Sequence, residues 1–134
     1  MTIISATTTT DTTPTTSVRV GLALSAVVGL ANIPMLAPGI DWGDDTPPYG
    51  FLVLAAAIGL VSVVCAAIAW NSGNRRAIRI DAAALIVNAL MVIPAFFIDL
   101  TPFMTVLSAL FVIAPVVAVV LIMRRDHVPV SVID

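Results

Sequence analysis

The stretch FLVLAAAIGLVSVVCAAIAW (51–70) contains no charged side chain, and the polar, arginine-bearing segment NSGNRR (71–76) follows it directly. A membrane-spanning helix needs about 20 consecutive apolar residues, because each residue adds about 1.5 Å toward a hydrocarbon core of about 30 Å. The stretch is 20 residues long and carries no charge, so it meets this requirement. We therefore predict that residues 49–70 form a transmembrane helix, and we interpret the rest of the chain around it.

The overall composition supports the same class of protein. The chain has 134 residues, of which 60% are hydrophobic and 10% charged, and its mean hydropathy is +1.10. A soluble domain carries about 25% charged residues, so this chain has too few to cover a water-facing surface. The single cysteine excludes a disulfide scaffold, and the net charge of -2 argues against a nucleic-acid partner. The lipid bilayer is the predicted partner.

Three further apolar stretches are long enough to span a bilayer, and short polar segments separate them. The predicted spans cover residues 18–36, 49–70, 78–98 and 103–123. Short connections make neighbouring helices antiparallel. The predicted fold class is therefore all-α: a polytopic membrane protein with four transmembrane helices in an antiparallel bundle.

The arginines predict how this bundle is oriented. All six lie beside the N-terminus, in the middle loop or beside the C-terminus, as Arg19, Arg75, Arg76, Arg79, Arg124 and Arg125. The two opposite loops carry Asp41, Asp44, Asp45 and Asp99 instead. Because short cytoplasmic loops are rich in basic residues, we expect a cell (cytoplasmic) membrane protein with both termini in the cytoplasm. Residues 1–17 are predicted to be a disordered, Thr-rich tail, and residues 124–134 a short cytoplasmic tail.

The chain contains two similar hairpins. Residues 18–35 align without a gap on residues 78–95 with six identities, which include Arg19 with Arg79 and Ile33-Pro34 with Ile93-Pro94. We interpret this match as a duplicated helical hairpin. Two copies with two spans each have the same orientation, and a pseudo-twofold axis along the membrane normal would relate them.

Small and polar residues indicate which helix faces meet. Gly21, Ser25 and Gly29 recur every fourth residue, a pattern that permits close helix approach, and Asn32 continues that face. On the third span Asp81 and Asn88 also share one face. We expect the Asn32 and Asn88 amides to face the bundle axis, either as interhelical hydrogen bonds or as a polar binding position.

Pro34 and Pro94 occupy matching positions in the outer parts of the first and third spans. Proline removes a backbone donor and tends to kink a helix, and matched interruptions in two repeats point to a binding site. Paired kinks would open a small vestibule toward the acidic loops. The simpler alternative is that proline is common in membrane helices. Trp42, Tyr49 and Trp70 lie at the predicted boundaries and are typical of interface anchors. The loop around Trp42 is acidic either because positive charge is excluded from that side of the membrane or because it attracts a cationic ligand.

Catalytic and metal-binding patterns are absent from the sequence. Asp81 is the only acidic residue inside a predicted span, and we expect it to pair with Arg19, Arg76 or Arg79 near the headgroups. His127, the single histidine, lies in the C-terminal tail, away from Cys65 in the second span, so no metal set or nucleophile–base pair is expected. The sequence predicts no enzyme activity and no cofactor.

The stretches Gly29 to Pro34, Ala69-Trp70 before the basic loop, and Ile93 to Phe97 carry a resemblance. Over its four spans the chain resembles a loose group of small four-helix membrane proteins encoded in GC-rich Gram-positive bacteria. That resemblance implies a multi-pass membrane protein and brings no established activity with it.

Three functional hypotheses follow from these patterns. The first is a non-enzymatic protein that acts through helix–helix association, as a homo-oligomer or as an accessory subunit of a membrane complex. It would dock a partner on outward-facing small residues, namely Ala55 with Gly59 and Ala114 with Ala118. The alternative is a small carrier or ligand-binding bundle with a vestibule between the first and third helices, lined by Asn32 and Asn88. A sensor with a modified Thr-rich tail is a third hypothesis.

Overall fold

The computed structural model describes residues 14–124, and these fold into four long helices. They are α1 (Thr16–Ala31), α2 (Tyr49–Ser72), α3 (Arg75–Val92) and α4 (Pro102–Met123). With the short 3₁₀ turns Pro34–Leu36 and Ile93–Phe97 that follow α1 and α3, each helix is long and apolar enough to cross a membrane. The all-α, four-span prediction is confirmed. Helix α1 begins at Thr16, inside the tail predicted to be disordered, and residues 1–13 and 125–134 of the predicted tails lie outside the described part.

The helices pack in a ring. Helix α1 contacts α2 and α4, and α3 contacts the same two helices, so α1 and α3 face each other across the bundle axis. Consecutive helices are antiparallel neighbours because their connections are short. The turn between α2 and α3 shows how the sequence achieves this: Gly73 takes the left-handed conformation with φ 61°, and the Asn74 side chain accepts a hydrogen bond from the Arg76 N–H at 2.9 Å.

Two glycines of α1 bring the helices close together. A Cβ atom added to Gly29 would lie within 2.8 Å of the Val63 side chain and even closer to the Gly59 carbonyl oxygen, so α1 and α2 touch through their backbones. A Cβ atom on Gly21 would lie 2.8 Å from the Ile122 side chain of α4. The predicted ridge of small residues on α1 therefore packs against two helices, one at each end.

Both prolines end an α-helix. Helix α1 stops at Ala31 and a 3₁₀ turn begins at Pro34, while α3 stops at Val92 and a 3₁₀ turn begins at Ile93, directly before Pro94. A proline lacks the N–H that would continue the i→i−4 ladder, and the tighter 3₁₀ turn needs fewer such bonds. The prediction of kinks within continuous spans is corrected: each α-helix ends, and a 3₁₀ turn extends the span. Pro115, by contrast, lies buried within an α4 that remains helical.

The loops at this end of the bundle pack on each other. Gly43, between α1 and α2, forms an antiparallel β-bridge with Leu100, between α3 and α4. Gly43 has φ 96°, and an added Cβ would lie 3.0 Å from the Asp99 carbonyl oxygen. Only glycine combines that φ with so close an approach. The bridge joins the two acidic connections above the ends of the helices.

Large apolar side chains cover the outside of the ring. Val27, Leu54, Val106 and Val120 are more than half exposed, whereas small residues such as Ala69 and Ala118 are fully buried. A surface of this kind is unstable in water and suits the hydrocarbon core of a bilayer. The chain therefore has the exterior of a membrane protein.

Candidate functional site

A partly open cavity of about 300 Å³ lies at the acidic-loop end of the bundle. Its walls come from the first turns of α2 and α4, the end of α3 with its 3₁₀ turn, and both loops. Its lining is mostly apolar and includes three aromatic and three methionine side chains: Trp42, Phe51, Phe111, Met35, Met91 and Met104. Methionine and aromatic side chains form adaptable apolar surfaces.

The cavity includes some of the predicted site residues. Asn32 and Pro94 line it, while Pro34 and Asn88 do not. Trp42, predicted to anchor the protein at the membrane interface, is half-buried and lines the cavity. Tyr49 and Trp70 remain largely exposed, as an interface position requires.

Asn32 stands at the inner end of the cavity, directly after the last residue of α1. Its side chain is buried, and its Nδ2 donates to the Val28 carbonyl oxygen of α1 at 3.0 Å. The same residue lines a second, much smaller void between α1, α2 and α3, together with Ser62 and Asn88. Asn32 therefore borders both the cavity and this smaller void.

A cluster of three polar side chains lies deeper in the bundle. The Ser25 Oγ forms a hydrogen bond of 2.6 Å with Asp81 Oδ1, and the Ser62 Oγ forms one of 2.5 Å with the same oxygen. The two serine oxygens are 2.8 Å apart. All three residues are at most 2% exposed, and they come from three different helices. We call Ser25, Ser62 and Asp81 the triad.

The triad overturns the expectation that Asp81 pairs with an arginine. Among residues 14–124 Asp81 forms hydrogen bonds only with the two serines, and its Oδ2 has no partner. Arg79 is two residues from Asp81, which on a helix places it on nearly the opposite face, where it is exposed. The Arg19 guanidinium lies over the Trp70 ring, 5.7 Å from its centroid.

Asn88 lacks the interhelical hydrogen bond that was one of the two alternatives predicted for it, and a polar binding position stays a prediction. It is only 3% exposed, yet neither its Nδ2 nor its Oδ1 has a hydrogen-bond partner in the described structure. Buried amides nearly always find partners, because an unpaired polar group costs about 1–3 kcal/mol. Asn88 therefore forms no interhelical hydrogen bond, and it faces the small void that it shares with Asn32 and Ser62.

The outward-facing small residues proposed for partner docking face the interior. Gly59 is buried against Gly29, and Ala118 is fully buried beside Gly21. Ala55 and Ala114 are half-buried, and Ala55 lines the cavity. The prediction that Gly59 and Ala118 face outward to dock a partner is therefore wrong, because both residues pack inside the bundle.

Ser62 is the site residue that the sequence reasoning missed. It is the only hydroxyl side chain in the otherwise apolar stretch 51–70, which was the available signal.

Within residues 14–124 no three His, Cys, Asp or Glu side chains come together as a metal site, and Cys65 is a buried free thiol. His127 lies outside the described residues. No protein-family model, curated protein or solved structure matches the chain.

Proposed function

We propose that this protein is a small carrier or ligand-binding bundle whose cavity takes an amphipathic cation. The observation that carries the proposal is the cavity of about 300 Å³, with its apolar lining and Asn32 at its inner end. Ligand sites in proteins are typically clefts of about 300–1,000 Å³, mostly apolar, with a few well-placed polar groups. The cavity fits that description in size and in chemistry.

The charge around the cavity favours a cation. Asp41, Asp44, Asp45 and Asp99 are exposed in the two connections that border it, and these connections contain no basic residue. Acidic groups near an apolar, low-dielectric cleft attract cations and raise their local concentration. Trp42, in the wall, adds an aromatic face of the kind that binds quaternary ammonium groups.

The repeat supports a binding role at this place. We propose that the chain arose from a duplicated hairpin, because the Ile-Pro pairs 33–34 and 93–94 both stand where an α-helix gives way to a 3₁₀ turn. The diagonal positions of α1 and α3 are those that a twofold axis along the membrane normal would produce. Interrupted helices at matched positions are typical of substrate sites in membrane carriers.

We also propose that the cavity end faces away from the cytoplasm. Arg19, Arg75, Arg76 and Arg124 lie at the other end of the helices, which the basic-residue rule assigns to the cytoplasm in the cell membrane. Both termini are then cytoplasmic. The association hypothesis is second, because Gly59 and Ala118, on which its docking surface depended, pack inside the bundle. No further partner than the bilayer and the ligand is needed.

The test uses the intrinsic fluorescence of Trp42. The chain has two tryptophans, so Trp70→Phe leaves Trp42 as the only one. The protein, purified in a mild detergent, is titrated with phenyltrimethylammonium. We expect saturable quenching or a spectral shift, with much weaker binding of its neutral isostere tert-butylbenzene.

A matched pair of variants separates the cavity from the general apolar surface. Ala55 lines the cavity, whereas Ala57 on the same helix is exposed. Ala55→Phe fills the cavity and should abolish saturable binding, while Ala57→Phe should leave it unchanged. If both variants bind phenyltrimethylammonium as well as the parent protein, or if the parent shows no saturation, the cavity is not a cation site.

A further inference from the structure

The three oxygen–oxygen contacts of the triad need three hydrogen atoms. Its three oxygen atoms, Ser25 Oγ, Ser62 Oγ and Asp81 Oδ1, form a triangle with edges of 2.8, 2.6 and 2.5 Å. Each edge is a hydrogen-bond distance, so each needs a hydrogen between its two oxygens. The serines supply two hydrogens. The third has to come from the Asp81 carboxyl group.

An ionised Asp81 would leave one edge without a hydrogen. If both serines donated to a carboxylate, their own oxygens would face each other at 2.8 Å with only lone pairs between them. A carboxylic acid removes that repulsion, because each of the three oxygens can then donate one hydrogen bond and accept one around the triangle. The closed triangle is therefore the arrangement of a neutral acid.

The surroundings of Asp81 also disfavour a charge. Asp81 is fully buried, and the Oδ2 atom has no hydrogen-bond partner within the described residues. A buried carboxylate needs a cation or several donors, and a neutral acid needs fewer. No other charged group on the helices is available to pair with Asp81. On α1, Arg19 lies over Trp70; on α2, Tyr49 stands at the far end and the buried Cys65 thiol is neutral. The arginines of α3 are exposed, namely Arg75, Arg76 and Arg79, and α4 has no charged or titratable residue.

The polar groups around the triad lie toward one end of the bundle. Toward the arginine end, one turn beyond each triad residue, the neighbours are the buried apolar residues Leu22, Ala66 and Ala77. Toward the acidic loops, Ser62 shares the small void with Asn88 and Asn32, and Asn32 also lines the cavity. The unpaired Asn88 amide stands in that void, between the triad and the cavity.

We propose that the triad is a proton-binding site: Asp81 is protonated in the closed bundle, and its proton exchanges with water from the cavity side, past Asn88. The void at Asn88 is too small for a water molecule in the closed bundle, so exchange requires this packing to open. On release, the Asp81 O–H bond breaks and its electron pair stays on the carboxylate. The Ser62 hydroxyl accepts this proton as it gives up its own, which a water molecule entering from the cavity side takes. Asn88 supplies a donor and an acceptor along this route. Neither part of the proposal requires a ligand.

Infrared spectroscopy of the full chain in lipid nanodiscs tests the protonation. At pH 7 an ordinary aspartate, with a pKa of about 3.9, is ionised and has no carboxylic-acid carbonyl band. We expect one such band in the parent protein, which shifts on ¹³C-aspartate labelling and in D₂O. The band should be lost in Asp81→Asn, retained in Asp99→Asn, and shifted in frequency in Ser62→Ala.

The route is tested by the rate of hydrogen–deuterium exchange at Asp81, measured as the rate at which its carboxylic-acid band shifts after transfer into D₂O. Ala55→Phe blocks the cavity and should slow the exchange severalfold, whereas Ala57→Phe should not. Equal rates in the two variants would overturn the route. Absence of a carboxylic-acid band from the ¹³C-labelled parent protein at pH 7 would overturn the protonation, and this result does not depend on whether any variant folds. Neither experiment contains phenyltrimethylammonium, so their failure is distinct from a failure of the binding titration.

Discussion

Replacing Gly29 with alanine tests the closest helix contact in the bundle. The added Cβ would overlap the Gly59 carbonyl oxygen of α2, at a distance about 1 Å shorter than an ordinary van der Waals contact. Because backbone atoms cannot rotate away, α1 has to move outward by a similar amount. The Ser25–Ser62 contact of 2.8 Å, one turn away on the same interface, would then exceed hydrogen-bond distance.

The expected loss of stability follows from these displacements. Overpacking of this kind costs about 1–3 kcal/mol, and a weakened interhelical hydrogen bond adds about 0.6 kcal/mol. Alanine regains up to about 1 kcal/mol through its higher helix propensity. We therefore expect Gly29→Ala to lower the free energy of unfolding by about 1–3 kcal/mol.

The assay is reversible unfolding of the purified protein in mixed micelles, followed by far-UV circular dichroism as the fraction of denaturing detergent rises. Gly50→Ala is the matched control, because Gly50 also lies in a helix and an added Cβ there meets nothing within 4 Å. That variant should be as stable as the parent or slightly more stable. If Gly29→Ala proved as stable as Gly50→Ala, the backbone contact between α1 and α2 would be refuted.

Two further changes test the two ends of the bundle. Gly43→Ala should cost more stability than Gly39→Ala. Both glycines have a positive φ near 90°, so both substitutions strain the backbone by about 1–2 kcal/mol, but only at Gly43 would the new Cβ also press on the Asp99 backbone. Equal thermal midpoints of the two variants in mild detergent would argue against the packed loops. At the arginine end, a double-mutant cycle with Arg19→Ala and Trp70→Leu should give a coupling energy of about 0.5–1 kcal/mol from the cation–π contact, and additive effects would contradict it.

The spans were predictable because hydrocarbon thickness constrains length strongly. With the 3₁₀ turns counted, the first predicted span ends at residue 36, the second starts at residue 49 and the fourth ends at residue 123, as in the structure. The other limits differ by at most three residues. The phase of a helix is harder to predict. Helix α2 is apolar all round, so its sequence could not tell that Gly59 faces α1 rather than lipid.

The site was predictable only in part for a related reason. The shared face of Asp81 and Asn88 follows from helical periodicity, and both side chains are indeed buried. Their partners depend on the axial register between helices, which periodicity within one helix does not contain. Ser25 meets Ser62 because Gly29 and Gly59 set the register of α1 against α2, and that contact is tertiary.

Thiol labelling in intact cells tests the central claim that the cavity opens on the outer face and binds a cation. Cys65 is the only cysteine, so Cys65→Ala provides a background free of thiols. Ala95→Cys then places a thiol in the cavity wall, and Asn74→Cys places one in the exposed turn at the opposite end. With a membrane-impermeant maleimide added outside, we predict that Ala95→Cys is labelled, that phenyltrimethylammonium slows its labelling, and that Asn74→Cys is labelled only after the membrane is permeabilised. Labelling of Asn74→Cys in intact cells, with Ala95→Cys unreactive or indifferent to the cation, would contradict the account.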